Sequence, residues 1–343
     1  MKDMNNGQLG LKVNFLSDYV KFGKYGIGIN GAWVAAQNQA EAMKKHVHVR
    51  INSSKMDCDL IHSHGNFLYS YRIMRKALKS NIPIIITAHQ TNRDTDIDFL
   101  FERSLAEVVK QYIIRYLQLA DLIICPTENS AKLVREELEA IQTIKVISNG
   151  VDTNLFQKDE QKREKFRKHY CITNSTILSV GMPTSRKGFR DFVGFSKKMK
   201  NATFLWVGKR IFPILQPDNI VNTQNLIMPG YIEDICEAYS AADVFCFPSY
   251  YEGEGLAVLE AMSCGLPVII RDLPVFEKRF IDGKNCLKAQ NNKQFMQHIS
   301  YLHDNPDEKK KLIKNGYETV KNYDIRLVAQ KLYTLYKKLL SYF

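Results

Sequence analysis

Short apolar runs alternate along the chain with longer stretches whose apolar positions recur every three or four residues. In the first half the runs are Lys12–Leu16, His46–Ile51, Leu60–His64, Pro83–His89, Leu122–Pro126 and Lys145–Ser148. Their length and their Val, Ile and Leu content predict strands, and Gly31–Lys45, Tyr69–Lys79, Phe101–Leu119 and Ser130–Ala140 between them read as helices. Strand and helix in alternation build a parallel sheet covered on both faces.

A charge run, Lys158–Lys168 (KDEQKREKFRK), breaks the pattern and reads as a solvated helix opening a second domain. Alternation resumes with strands at Thr176–Val180, Thr203–Val207, Leu226–Pro229, Val244–Pro248 and Pro267–Ile270. Helices are expected at Gly188–Met199, Asp234–Ser240 and Gly255–Ser263, and three helical segments finish the chain, the last being Arg326–Phe343. The pattern predicts an α/β protein with two Rossmann-like, doubly wound domains, residues 1–155 and 156–325. The last helix, 326–343, is expected to pack back on the first domain. Such sheets bind ligands at the carboxyl ends of their strands, so the cleft between the domains is the default site.

Composition agrees with two ordinary globular domains: 343 residues, 45% apolar and 24% charged. The net charge of +12 changes the picture more, because it fits an anionic partner. Residues 1–150 hold 19 Lys and Arg against 15 Asp and Glu, so the first half carries +4 and the remainder +8. An excess spread in this way favours membrane proximity or solubility over a dedicated nucleic-acid groove. The first fifteen residues lack an apolar core of signal-peptide length, and no run approaches 18 apolar residues. Neither a signal peptide nor a membrane-spanning segment is therefore expected. Seven cysteines form no CxxC pair, and several sit in apolar runs, which suits buried thiols in a reducing compartment better than zinc.

The densest chemistry lies in residues 248–268, PSYYEGEGLAVLEAMSCGLPV. A strand ends at Pro248–Ser249, a loop with two glycines follows, and a helix begins near Gly255. Amides at a helix start are unpaired and partly positive, so a diphosphate fits there, and Gly253 and Gly255 let it come close. Glu252 sits in the loop, and Glu260 more than one turn into the helix. A carboxylate at 260 can accept two ribose hydroxyls, and one at 252 can reach sugar hydroxyls beyond the phosphates. A surface helix with acidic residues near its start would explain Glu252 alone but not the whole run.

This run resembles the Glu-x7-Glu signature of the retaining family 4 glycosyltransferases, with Glu252 and Glu260 as the pair. The resemblance extends over nearly the whole chain and implies the GT-B architecture, two facing Rossmann-like domains. It implies that Glu260 binds the nucleotide ribose, that Glu252 contacts the donor sugar, and that amides near Gly255 and Leu256 hold the diphosphate.

Three other constellations fit the same expectation. In 181–188 (GMPTSRKG) a lysine can place a point charge on a donor phosphate. The family commonly has Arg after the first Gly and Lys before the last; Lys187 matches the second, but Met182 stands where the Arg is expected. Either Arg186 replaces it or one phosphate contact is lost. Residues 26–31 (GIGING) fit G-x-G-x-x-G, yet no acidic residue stands some twenty positions on, which disfavours NAD. In the family such a loop faces the donor phosphates, giving Gly26, Gly28 and Gly31 that role; otherwise they are turn glycines. His89 ends the strand PIIITAH, where the family often carries a His close to the donor sugar, and His62 and His64 end another. Asp94, Asp96 and Asp98 imitate a metal-binding motif, but donor phosphates held by a helix start and a lysine need no metal, so none is expected.

The acceptor is read from the first half. Phe101–Leu119 and Phe67–Lys79 mix apolar and basic residues, as helices on anionic bilayers do, though ordinary core helices share the pattern. The strings HQTNRDTDIDFLFERSL, ADLIICPTENS, ISNGVDTNLF, TFLWVGK and PVIIRDLPVF are similar to those of the diglycosyl-diacylglycerol synthases of Gram-positive bacteria and mollicutes. That resemblance implies a hexose moved from UDP-glucose or UDP-galactose to a glycolipid, with monoglucosyl-diacylglycerol the expected acceptor, at the cytoplasmic face of the membrane. Other lipid-linked, polysaccharide or glycogen-type acceptors remain open. So do an NAD-dependent oxidoreductase and a basic membrane- or nucleic-acid-binding module.

Overall fold

The computed structural model describes residues 10–18, 31–65, 68–89, 103–137, 140–209 and 223–343. The chain forms two units. One is Met1–Gly150 with Tyr323–Phe343, and the other is Val151–Asn322. The unit borders thus lie at 150/151 and 322/323, a few residues before the positions read from the sequence.

The first unit holds strands β1 (Lys12–Leu16), β2 (His48–Ile51), β3 (Leu60–Ser63), β4 (Ile84–Thr87), β5 (Leu122–Cys125) and β6 (Thr143–Val146). All pair in parallel, in the order β2-β1-β3-β4-β5-β6. Every residue of β3, β4 and β5 is buried, as expected of strands covered on both faces. Helices α1 (Gly31–Met43), α2 (Leu68–Lys79), α3 (Arg103–Leu117) and α4 (Glu128–Glu137) supply that cover. One core packs Ile73, Met74 and Ala77 of α2 and Ile113, Tyr116 and Leu117 of α3 against Ile61, Ile84 and Ile86. The opposite core brings Val13, Phe15, Leu60 and Ile85 together with Ala40 and Met43 and with Ile325, Val328, Leu332 and Tyr336 of the last helix.

In the second unit Asp159 caps α5 (Glu160–His169) by accepting from Lys162 N. Six parallel strands follow: β7 (Thr176–Val180), β8 (Thr203–Val207), β9 (Leu226–Gly230), β10 (Val244–Phe247), β11 (Val268–Arg271) and β12 (Leu287–Ala289), in the order β12-β11-β10-β7-β8-β9. Helices α6 (Phe189–Lys198), α7 (Cys236–Ala241), α8 (Leu256–Ser263), α9 (Asn292–Asp304) and α10 (Pro306–Lys321) connect and cover them. Edge-to-face aromatic rings, Phe189 and Phe192 on Trp206 and Phe192 on Phe204, fill the core beneath α6. Helix α11 (Ile325–Leu340), capped by Asp324, returns to the first unit and packs on α1.

Two elements depart from the sequence reading. Strand β6 covers Thr143–Val146 rather than Lys145–Ser148, and the short strand β12 is additional. Both are edge strands: β6 exposes three of its four residues, and β12, only three residues long, is too short to show as an apolar run. Among the described residues no helix is long and apolar enough to cross a membrane. Six cysteines are buried, and Cys171 is exposed at φ 53° in the turn after α5.

Candidate functional site

The strand order of the second unit reverses between β7 and β10, where an open α/β sheet leaves a crevice at its carboxyl edge. The loop 181–188 leaves β7 there and the loop 248–255 leaves β10. They are pressed together: a Cβ on Gly188, at φ +73°, would lie 2.3 Å from the Pro248 carbonyl oxygen. Only glycine fits that approach. Tyr250 N donates to Arg186 O at 2.7 Å, and Arg186 Nη1 donates to Tyr251 O at 3.0 Å. Arg186 therefore ties one loop to the other.

Lys187 bends back over Gly181, with its Nζ 2.6 Å from Oε1 of Glu252 and 5.2 Å from the centre of the Phe247 ring. Ser249 Oγ donates to the same Glu252 oxygen, also at 2.6 Å. Glu252 is 7% exposed and the Lys187 side chain 17%. A buried charge pair of this kind is tolerated when further hydrogen bonds satisfy it, and Ser249 provides one.

Gly255 stands at the start of α8 with φ +82°, and no side chain caps the helix. A Cβ on Gly255 would meet Cε1 of Phe276 at 2.7 Å. The loop before it is anchored by Glu254, whose carboxylate accepts from Arg279 at 3.1 Å with both side chains buried. Arg271, at the end of β11, braces the loop from the other side. It donates to Pro248 O and to Asp191, both at 3.1 Å, and stacks on the Tyr250 ring at 3.9 Å. Glu254, Arg279, Arg271 and Ser249 carry no sequence signal of their own, since each partner lies in another element or turns in from a loop.

Glu260 sits more than one turn into α8. Its Oε2 accepts from the hydroxyl of the fully buried Tyr239 at 2.7 Å. Desolvation raises its carboxyl to about 7, against the lowering effect of the Tyr239 hydrogen bond. The Tyr239 hydroxyl is itself pushed well above its ordinary value, first by desolvation and then by the Glu260 charge. The second unit thus gathers Arg186, Lys187, Glu252, Gly253, Gly255, Leu256 and Glu260 along one edge of its sheet.

In the first unit His89 follows β4 by two residues. Its Nε2 lies 2.9 Å from Nδ1 of His64, which follows β3. His62 meets the Tyr336 hydroxyl at 2.5 Å and Thr87 Oγ1 at 2.7 Å. Burial lowers all three imidazoles: His62 to about 3, His89 to about 4, and His64 well below the usual range, with the neighbouring histidines adding to the effect on His62 and His64. These histidines are neutral near pH 7. Gly31 is exposed and opens α1. Gly26, Gly28, Phe67, Phe101, Asp94, Asp96 and Asp98 lie outside the described residues. Among the described residues no group of three or more His, Cys, Asp or Glu could hold a metal ion.

Two family models match the chain. Glycosyl transferases group 1 covers residues 161–319, and Glycosyltransferase Family 4 covers residues 30–155. The processive diacylglycerol alpha-glucosyltransferase of Acholeplasma laidlawii is 32% identical over 292 residues, spanning 82% of this chain and 86% of that one. The alpha-monoglucosyldiacylglycerol synthase of the same organism is 25% identical over 84% of this chain and 77% of its own. Among solved structures, sucrose-phosphate synthase from Thermosynechococcus elongatus superposes with a TM-score of 0.79 at 19% identity, covering 97% of this chain and 100% of that one. Anabaena HepE in complex with UDP-glucose gives 0.79 at 15% identity with the same coverage. These structural likenesses establish the two-domain GT-B fold.

Proposed function

The chain belongs to family 4 of the glycosyltransferases, and from that premise we propose that it moves a glucose or galactose from a UDP-sugar to a glycolipid, with retention at the anomeric carbon. Monoglucosyl-diacylglycerol is the acceptor we favour, which makes the product a diglycosyl-diacylglycerol. The observation that carries the reading is the meeting of Lys187 with Glu252 beside the uncapped start of α8.

On this reading the diphosphate lies against the amides at Gly255 and Leu256, with Gly253 giving room and Lys187 facing the leaving phosphate. Arg186, already tied to Tyr251 O, adds charge at the same edge. Glu260 receives the ribose and Glu252 the sugar hydroxyls. The bond between the anomeric carbon and the β-phosphate oxygen breaks, and the acceptor hydroxyl bonds to that carbon on the same face. Its proton passes to the departing phosphate. Fixed positive groups aimed at the growing phosphate charge supply the main catalytic effect, without a metal. His89, neutral at pH 7, serves the donor sugar as a hydrogen-bonding partner on this reading.

The two Acholeplasma relatives are named for work on diacylglycerol lipids, which supports the acceptor class. So does α2, which carries no acidic residue and exposes Arg72, Arg75, Lys76 and Lys79 with Leu68 and Leu78. A face of this composition suits peripheral attachment to an anionic cytoplasmic membrane surface.

The test is a radiolabelled donor screen, UDP-glucose against UDP-galactose, with diacylglycerol and monoglucosyl-diacylglycerol in anionic micelles. Transfer to monoglucosyl-diacylglycerol supports the reading. Transfer confined to soluble glucans or to polyprenol-linked sugars overturns the acceptor assignment and leaves the donor half standing.

A further inference from the structure

We propose that Tyr239 is the positioning residue of the donor-ribose site, holding Oε2 of Glu260 so that Oε1 is left for the ribose hydroxyls. The inference rests on the ribose reading of Glu260.

The carboxyl group of Glu260 has two ends in different circumstances. Oε2 takes the Tyr239 hydroxyl at 2.7 Å, and that hydroxyl also points toward Ala257 O at 3.3 Å, one turn back on α8. Among the described residues no donor reaches Oε1 and no cation pairs with Glu260. Tyr239 cannot swing away, because its ring is fully buried against Phe156 and Phe245 at centroid distances of 6.0 and 5.9 Å. A rigid phenol on α7 thus fixes the rotamer of a carboxylate on α8. Carboxylate and phenol stand on different elements, so the contact sets where the free oxygen points relative to the helix start.

The surroundings supply little positive charge. Cys236 on α7 and Cys264 just past the end of α8 are the other titratable groups felt there, and Lys162 of α5 is engaged by Asp234 at 2.8 Å. The Glu260 carboxyl accordingly rests at about 7, raised by desolvation and held down by Tyr239 alone. Ribose hydroxyls bond more strongly to the ionised carboxylate than to the neutral acid, so a ligand that brings them favours loss of the proton. Near neutral pH the free enzyme is divided between a form ready for the donor and one that must first lose a proton.

The experiment is UDP titration by calorimetry from pH 6 to 8.5, in buffers of different ionisation enthalpy, on the full chain, Tyr239→Phe and Glu260→Gln. In the wild type, UDP affinity should fall as pH drops through about 7, with proton release on binding. Phenylalanine keeps the ring packing and removes the hydroxyl. It should move the midpoint up by about one pH unit and weaken UDP about tenfold at pH 7. A weakening equal at every pH, or an unmoved midpoint, overturns the positioning role. Should Tyr239→Phe fail to fold, 2,3-difluorotyrosine at position 239, a stronger donor of the same shape, should move the midpoint down, and an unmoved midpoint again overturns it. Glu260→Gln separates the two readings. Wild-type UDP affinity in that variant removes the ribose role itself, whereas weak binding there with an unmoved Tyr239→Phe midpoint removes Tyr239 only.

Discussion

The ammonium of Lys187 lies 2.6 Å from Oε1 of Glu252, and so joins the loop leaving β7 to the loop leaving β10 across the point where the strand order reverses. On the proposed reading the pair sets a cation beside the departing donor phosphate and a carboxylate beside its sugar.

Removing the cation tests the first half of that arrangement. Lys187→Ala should lower kcat by about 100-fold or more, while the thermal midpoint falls by only a few degrees. Lys187→Arg should restore little, because a planar guanidinium does not reproduce a point charge in so closed a site. A wild-type rate in Lys187→Ala would take the residue out of the reaction.

Glu260→Ala should weaken UDP by roughly 10- to 100-fold, the loss expected for hydrogen bonds to a charged group. Isothermal calorimetry reads this directly, and unchanged affinity would sink the ribose role.

The same carboxyl also links stability to pH. Its pKa is raised in the fold, from 4.5 to about 7, so its contribution to stability is in place at low pH and is lost as pH rises through about 7. The neutral isostere Glu260→Gln should therefore unfold at a higher temperature than the wild type at pH 8 and at a similar one at pH 4. Differential scanning calorimetry without ligand checks the sign.

The histidines of the first unit act in the opposite sense. Their pKa values are lowered in the fold, so the stability tied to them is present above about 6.5 and is lost as pH falls toward 4. Acidification from pH 7 to pH 5 should lower the melting temperature, and His62→Gln should reduce that drop. A drop of the same size in the variant would mean that the acid sensitivity lies elsewhere.

Transfer should continue in EDTA, since on the proposed reading lysine and helix amides hold the diphosphate without a cation. Loss of activity in EDTA with rescue by manganese would revive Asp94, Asp96 and Asp98 as a metal site.

Much of this was legible from periodicity, because buried parallel strands announce themselves as short runs of Val, Ile and Leu; β1, β7 and β8 fall where the pattern places them. The loop at 248–255 was legible because its glycines, Pro248 and flanking glutamates are consecutive. What escaped was pairing at a distance. Tyr239 reads as one more apolar helix position until α7 is laid against α8, and Glu254 reads as a solvated loop acid until Arg279 arrives from 25 residues on. Strand β6 escaped for another reason: three of its four residues are exposed, so hydrophobicity does not fix its register.

The return of residues 323–343 to the first unit bears on how the polypeptide is made. When the ribosome has finished residue 322, the second unit has its whole sequence, while the first still lacks the helix that places Ile325, Val328, Leu332 and Tyr336 against its sheet. The part synthesised first is completed last, and it waits with an apolar face uncovered and His62 without its Tyr336 partner until the final stretch emerges. In order of synthesis, therefore, the first unit is the later of the two to have all of its core residues.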